Sequence, residues 1–110
     1  MIAWPAVVKH DGEDELIYIV SEQDWLNDEE MLLYVFSDRD VLIDSHGHVF
    51  SLPAVQQNMA STEVLGTATL ENMIELAQLH AAVNQQCCVG KIGAGNIAEV
   101  MQIIASMQDN

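Results

Sequence analysis

Basic residues are scarce in this sequence. Only three Lys and Arg residues stand against 17 Asp and Glu residues, which gives a formal net charge of −14 at pH 7. Proteins that bind nucleic acids neutralise phosphates with Lys and Arg side chains, and anionic membrane surfaces attract the same two residue types. The composition therefore excludes a general nucleic-acid binder and argues against docking on a membrane.

Long apolar runs and spaced cysteines are also missing. No apolar run reaches the roughly 18 residues of a membrane-spanning helix, and residues 1–5 lack the basic and apolar regions of a signal peptide. The two cysteines, Cys87 and Cys88, are adjacent, and a disulfide between neighbours would be strained. These features predict a cytoplasmic protein with free thiols.

Aliphatic residues, by contrast, are plentiful. Half of the 110 residues are hydrophobic, which is enough for a core in one domain spanning residues 1–110. Twelve of the 17 acids lie between Asp11 and Asp44, and the second half is rich in Ala, Met and Gln. We interpret the halves as two layers of one domain, because neither could bury a core by itself.

Turn signals divide the first half into short strands. Asp11-Gly12 separates apolar residues 4–10 from 16–20, which is typical of a β-hairpin. A short helix near 22–29 should turn Trp25 and Leu26 inward. Further strands are predicted at residues 31–36, 41–45 and 48–52, and His46-Gly47 marks a tight turn between the last two. Residues 54–68 show no clear periodicity and are predicted to form a loop.

The second half has helical periodicity. Thr69 is a suitable N-cap for a helix that runs to about Val83, and Asn96 for a final helix. A sixth strand is predicted at 86–92. The order predicts an α+β fold, in which a mainly antiparallel sheet of five to six strands has two C-terminal helices packed on one face.

Apolar residues at consecutive strand positions indicate that both faces of the sheet are covered. The two C-terminal helices can cover one face. The other face then requires the short helix, the 54–68 segment or a second subunit. A homodimer is therefore expected, since two-fold dimers are the commonest oligomers.

One cluster has the composition of a metal site. Asp44, His46 and His48 supply carboxylate and imidazole, which are suitable ligands for zinc or iron. No further ligand with recognisable spacing accompanies them. The alternative is a polar hairpin tip with solvated imidazoles.

Neither the adjacent cysteines nor a glycine-rich segment near the carboxyl end predicts a cofactor site. Redox and zinc sites need a CxxC spacing, whereas adjacent cysteines on a strand point to opposite faces, and nothing in the sequence places His80 beside either thiol. The segment Gly93–Ala98 matches the first part of a dinucleotide-binding fingerprint. Only 12 residues follow it, which leaves no room for the rest of that unit.

Acidic residues near the first hairpin could form an interaction surface. They do not have the spacing of a calcium-binding loop. Such residues can simply keep a protein soluble, or they can steer a basic partner protein to the surface. The predicted surface consists of Asp11, Glu13, Asp14, Glu15 and Trp25.

Four segments resemble those of a family of small uncharacterised bacterial proteins, a domain of unknown function of about this length. They are Trp4–Val7, Asp11–Leu16, Ile43–Gly47 and Cys87–Cys88. The resemblance implies an intracellular bacterial protein and supplies no catalytic residues.

Three functions are compatible with these observations. The leading hypothesis is a non-enzymatic interaction or regulatory module that uses its acidic hairpin face or an exposed apolar surface. The second is a small metal-binding protein or metal-dependent enzyme that uses Asp44, His46 and His48. The third is a domain that binds a small ligand between the sheet and the helices.

Overall fold

Five strands form one sheet in the computed structural model, which describes residues 1–84 and 93–108. Every neighbouring pair is antiparallel, and the spatial order is β2-β1-β3-β4-β5. The predicted α+β class and antiparallel sheet are confirmed. The strand predicted at 86–92 and both cysteines lie outside the described residues. The strands are β1 (Ala6–Lys9), β2 (Leu16–Ile19), β3 (Val41–Asp44), β4 (His48–Ser51) and β5 (Gly66–Thr67).

Polar side chains cap the helices at their first turns. Thr69 and Asn72 form a reciprocal capping box, and the Asn96 side chain accepts from the Glu99 amide at 2.9 Å. Such caps satisfy backbone N–H groups that have no partner within the helix. The helices are α1 (Glu22–Leu26), α2 (Glu29–Leu33), α3 (Leu52–Asn58), α4 (Leu70–Val83) and α5 (Ile97–Gln108), and a 3-10 turn, Met59–Ser61, follows α3.

Glycine occupies both tight hairpin turns. Gly12 between β1 and β2 has a φ of 79°, and Gly47 between β3 and β4 has a φ of 82°. L-residues with a Cβ rarely adopt this left-handed conformation. The two turn signals read from the sequence are therefore confirmed.

Side chains on the two faces of the sheet enter two separate cores. Alternate residues of a strand point to opposite faces, so Val7 lies in one core while Ala6 and Val8 lie in the other. The first core contains Ile2, Ala6, Val8, Ile19, Trp25, Met31, Phe36, Leu42, Phe50, Leu52 and Val55. The second contains Val7, Leu16, Ile43, Met73, Ala77, Val100, Met101 and Ile104.

The first core shows what covers the face of the sheet that is opposite the two C-terminal helices. Trp25 of α1, Met31 of α2 and Val55 of α3 pack in it beside the strand residues. Helices of the same chain therefore cover the face for which a second subunit was considered. The apolar strands no longer require a homodimer.

Three local predictions are wrong. Residues 31–36 do not form a strand, because Asp28 caps α2 and acidic residues occupy its first turn, an arrangement that favours a helix. Residues 54–68 are not one continuous loop, because they contain most of α3, the 3-10 turn and β5. Pro53 lies in the first turn of α3, where proline is tolerated. Leu26 is exposed rather than turned inward.

Among residues 1–84 and 93–108, no helix combines the length and the hydrophobicity that crossing a bilayer requires.

Candidate functional site

The Asp44 carboxylate is buried and accepts hydrogen bonds from three backbone amides. Its Oδ1 accepts from the amides of His46 and His48, both at 2.9 Å. Its Oδ2 accepts from the amide of Ala3, also at 2.9 Å. The carboxylate thus fixes the β3–β4 turn and joins the amino-terminal segment to it.

The two histidines of the predicted metal cluster lie beside this turn. The ring centroids of His46 and His48 are 5.9 Å apart in an edge-on arrangement, and His48 Nδ1 lies 3.8 Å from Asp44 Oδ2. In the part of the chain that the structure describes, no group of three or more His, Cys, Asp and Glu side chains is arranged to hold a metal ion. His46 is exposed and His48 is half-buried at this hairpin, and the use of Asp44, His46 and His48 as metal ligands stays a prediction.

The acidic turn, defined as Asp11, Glu13, Asp14 and Glu15, has four exposed side chains on a fixed backbone. Asp40 is 6% exposed. Its Oδ1 accepts from the amide of Asp11, and its Oδ2 accepts from the amide of Ser37, both at 2.8 Å. The Lys9 ammonium group also donates to the carbonyl groups of His10 and Glu13. The acidic turn is therefore attached to residues 37–40.

The environment of Asp40 favours its charged form. Burial by itself raises the pKa of this carboxyl group, but the hydrogen bonds from Asp11 and Ser37 and the nearby His10 outweigh burial and bring the pKa below its ordinary value. A carboxyl group whose pKa is lower in the folded state stabilises the fold above its unfolded-state pKa. This contribution is lost as the pH falls through the folded-state pKa.

We expect Asp40→Asn to lower the free energy of unfolding at neutral pH by about 1–2 kcal/mol, because an amide can accept from only one of the two backbone N–H groups. We also expect the variant to lose less stability than the wild type as the pH falls below about 4. Urea unfolding across this pH range measures both effects. Parallel pH curves for the two proteins would contradict the role given to Asp40.

The other end of the acidic turn is attached to α4. The backbone amide of Leu16 donates to Nδ1 of the buried His80 at 2.9 Å, so a neutral ring carries its proton on Nε2. Burial lowers the pKa of His80, although the charge of Glu15 acts in the opposite direction. The turn is thus held at both ends.

Trp25 does not belong to the interaction surface, and that prediction is wrong. Its side chain is 1% exposed and packs in the first core. A different group of apolar side chains is exposed, with Leu33 at 81% and Val35 at 90%. We call Leu32, Leu33, Tyr34 and Val35 the apolar strip.

One side chain of α3 holds the apolar strip in place. The amide nitrogen of Gln56, Nε2, lies 3.0 Å from the carbonyl oxygens of Met31 and Leu32 and 2.7 Å from that of Tyr34. The two hydrogens of this NH₂ group are shared among the three carbonyl groups, which lie at or just after the end of α2 and have no partner within the helix. The backbone of the strip is therefore fixed although its side chains are exposed.

An aromatic cluster connects the apolar strip to the acidic turn. The ring centroid of His10 lies 5.0 Å from that of Tyr34 and 5.7 Å from that of Phe36. His10 Nδ1 also lies 3.6 Å from Asp40 Oδ2. The aromatic cluster therefore lies between the strip and Asp40, which also holds the acidic turn.

Comparison with known proteins identifies a family and a fold. The model of the family DUF4144, described as "protein structure with unknown function", matches residues 4–104. The chain belongs to the DUF4144 family. This confirms the resemblance to a domain of unknown function. No curated protein matches this DUF4144 chain.

A solved structure shows the same fold as this DUF4144 member. It is the NMR structure of a protein from Shewanella amazonensis, with a TM-score of 0.68 and 22% sequence identity. The similarity covers 96% of this chain and 90% of the other. It concerns the fold alone.

The family description assigns no role to any residue of this DUF4144 protein. An open depression beside the apolar strip is lined by Glu29, Glu30, Leu33 and Tyr34. We call the acidic turn together with Glu29 and Glu30 the acidic rim. Arg39, which is also exposed, lies in the 37–40 turn that contacts the acidic turn.

Proposed function

We propose that this protein is a non-enzymatic interaction module that binds a basic, apolar segment of another protein. The observation that carries the proposal is the apolar strip, which is exposed and held in place beside the acidic rim. Scattered surface leucines need no explanation, but a contiguous apolar patch with a polar rim is typical of an interaction site.

The side chains of the strip can supply binding energy. Burial of one Leu or Val side chain contributes about 1.5–3 kcal/mol, and Leu33 and Val35 are almost wholly available for burial. Gln56 reduces the cost of ordering the strip, because its backbone is already fixed. A backbone fixed in advance in this way favours a tight contact.

The acidic rim determines which partner is favoured. Glu29 and Glu30 line the depression beside the strip, and the acidic turn is attached to it through Asp40 and His10. The whole chain carries a net charge of −14. Charge complementarity accelerates association with basic partners and disfavours acidic ones. A second copy of this chain is a weaker candidate, because a two-fold dimer through this surface would place one acidic rim near another.

A paired-substitution experiment tests the proposal. We expect a synthetic peptide of Lys and Leu to bind the protein, and the double variant Leu33→Gln/Val35→Gln to bind it at least about tenfold more weakly, since loss of about 1.4 kcal/mol is a factor of ten. Fluorescence anisotropy of the labelled peptide measures the affinity. The variant keeps every charge, so its loss of affinity reports the apolar strip.

The matched control is Val64→Gln/Leu65→Gln, which alters another exposed apolar pair. We expect this control to retain wild-type affinity. An equal loss in both double variants, or equal affinity for a peptide of Glu and Leu, would refute the proposed surface. Sedimentation shows whether the wild type forms a dimer that Leu33→Gln/Val35→Gln abolishes, which would instead make a second copy the occupant.

A further inference from the structure

We infer that the partner binds the apolar strip as an extended strand, paired with the backbone of Val35. This inference rests on the proposed function and specifies the conformation of the bound segment. It depends on the directions in which the side chains of Tyr34, Val35 and Phe36 point and on the backbone hydrogen bonds of Tyr34 and Val35.

The chain from Tyr34 to Phe36 is extended. The rings of Tyr34 and Phe36 both pack against His10, while Val35 between them is 90% exposed. Side chains at i and i+2 share a side only when the backbone is extended, as in a strand. The backbone of Tyr34, with φ −66° and ψ 141°, agrees with this conformation.

The backbone groups of an extended chain point alternately to its two edges. Tyr34 uses the inner edge: its N–H donates to the Glu30 carbonyl at 2.9 Å, and its carbonyl accepts from Gln56 at 2.7 Å. Val35 faces the opposite edge. No hydrogen bond joins its N–H or its C=O to any other described residue.

An exposed edge of this kind is suited to strand addition. A partner strand can donate to the Val35 carbonyl and accept from the Val35 N–H, as peptides do when they extend a sheet edge. A helix, in contrast, lays its apolar face in a hydrophobic groove, whereas the depression at Leu33 is open and is lined by Glu29 and Glu30 as well. The backbone groups of a helix are already paired within the helix, so a bound helix would leave the Val35 N–H and C=O unpaired. The geometry therefore favours a strand over a helix.

Side-chain alternation then defines the chemistry of the partner. Apolar residues of the bound strand would contact Leu33 and Val35, and its intervening residues would face Glu29, Glu30 and the acidic turn. Those intervening residues should be Lys or Arg. The expected partner is a segment in which apolar and basic residues alternate.

Two isomeric peptides test this inference. Both contain the same numbers of Lys and Leu residues, but one alternates them and the other spaces its leucines with helical periodicity. We expect the alternating peptide to bind at least about tenfold more tightly. Tighter binding of the helical peptide would overturn the strand inference and leave the proposed function intact. Failure of both peptides would overturn the proposed function as well.

Two substitutions at position 35 test the proposed backbone hydrogen bonds. Val35→Pro removes the N–H, and Tyr34 already has the extended conformation that a following proline requires. Val35→Ala shortens the side chain and keeps the N–H. We expect Val35→Pro to weaken binding of the alternating peptide more than Val35→Ala does. Equal losses would contradict the pairing.

Hydrogen exchange keeps the inference testable if Val35→Pro fails to fold. In the wild-type protein, the alternating peptide should slow exchange of the Val35 amide, because pairing withdraws this N–H from water. Unchanged exchange of that amide in the saturated complex would overturn the inference. If the peptide slowed exchange only in the helices of the protein, the strand inference would also be overturned.

Discussion

Gly47→Ala is expected to lower the free energy of unfolding by about 3 kcal/mol, through a left-handed backbone that costs a residue with a Cβ about 1–2 kcal/mol and a steric clash of similar cost. The clash arises because a Cβ at this position would lie 2.6 Å from the carbonyl oxygen of Ala68 and 2.8 Å from Cδ1 of Ile97. Chemical denaturation of the variant and the wild type measures the difference.

Gly12→Ala is the matched control for this prediction. Gly12 has a similar φ of 79°, but no atom lies within 4 Å of the position its Cβ would take. The control should therefore show only the conformational cost of about 1–2 kcal/mol. If both variants lost the same stability, close packing of the β3–β4 turn against Ala68 would be contradicted.

Asp44→Ala is expected to lower the free energy of unfolding by about 4 kcal/mol, because three partly buried backbone amides lose their acceptor and an unpaired donor shielded from water costs about 1–3 kcal/mol. Asp44→Asn should have an intermediate effect. Its carbonyl oxygen can still accept from His46 and His48, while its NH₂ group would face the amide of Ala3. Chemical denaturation measures the free energy of unfolding of the wild type and of both variants.

Asp38→Ala provides the comparison for loss of an acid at the surface. Asp38 is exposed, and its removal should change stability little. A similar stability for Asp38→Ala and Asp44→Ala would contradict the structural role of Asp44. A rise in Tm of the wild type on addition of Zn²⁺, absent in Asp44→Ala, would instead favour the metal site.

Elements bounded by strong local signals were predictable from the sequence. The pairs Asp11-Gly12 and His46-Gly47 stand between apolar runs, and they identify two hairpins whose turns need a left-handed residue. Thr69 and Asn96 likewise identify the starts of α4 and α5. In each case the residue that determines the local conformation lies within the element itself.

The apolar strip could not be found in this way. Residues 31–36 are consecutive apolar residues, which are typical of a buried strand, and composition alone does not show that α2 ends at Leu33 or that Val35 points to solvent. Gln56, which holds the strip, is 22 residues away from Tyr34 in sequence. Neither its spacing nor its surroundings indicates this contact.

The buried polar residues were missed for the same reason. Asp40 accepts from Asp11 across 29 residues, and His80 accepts from Leu16 across 64. Periodicity reports which face of an element is apolar, but not which distant backbone amide meets a given side chain. The sequence therefore predicted the acidic turn and not the groups that fix it.

The pairing of β1 with β3 joins the two hairpins of the sheet. Each hairpin closes locally, whereas β1 meets β3 only across residues 10–40, with Lys9 opposite Val41 and Ala6 opposite Asp44. The entropy of closing such a loop grows only with the logarithm of its length. Insertions in the exposed turns of this connection should thus be tolerated without shifting the strand register, whereas β2 and the core residues Trp25 and Met31 must keep their places.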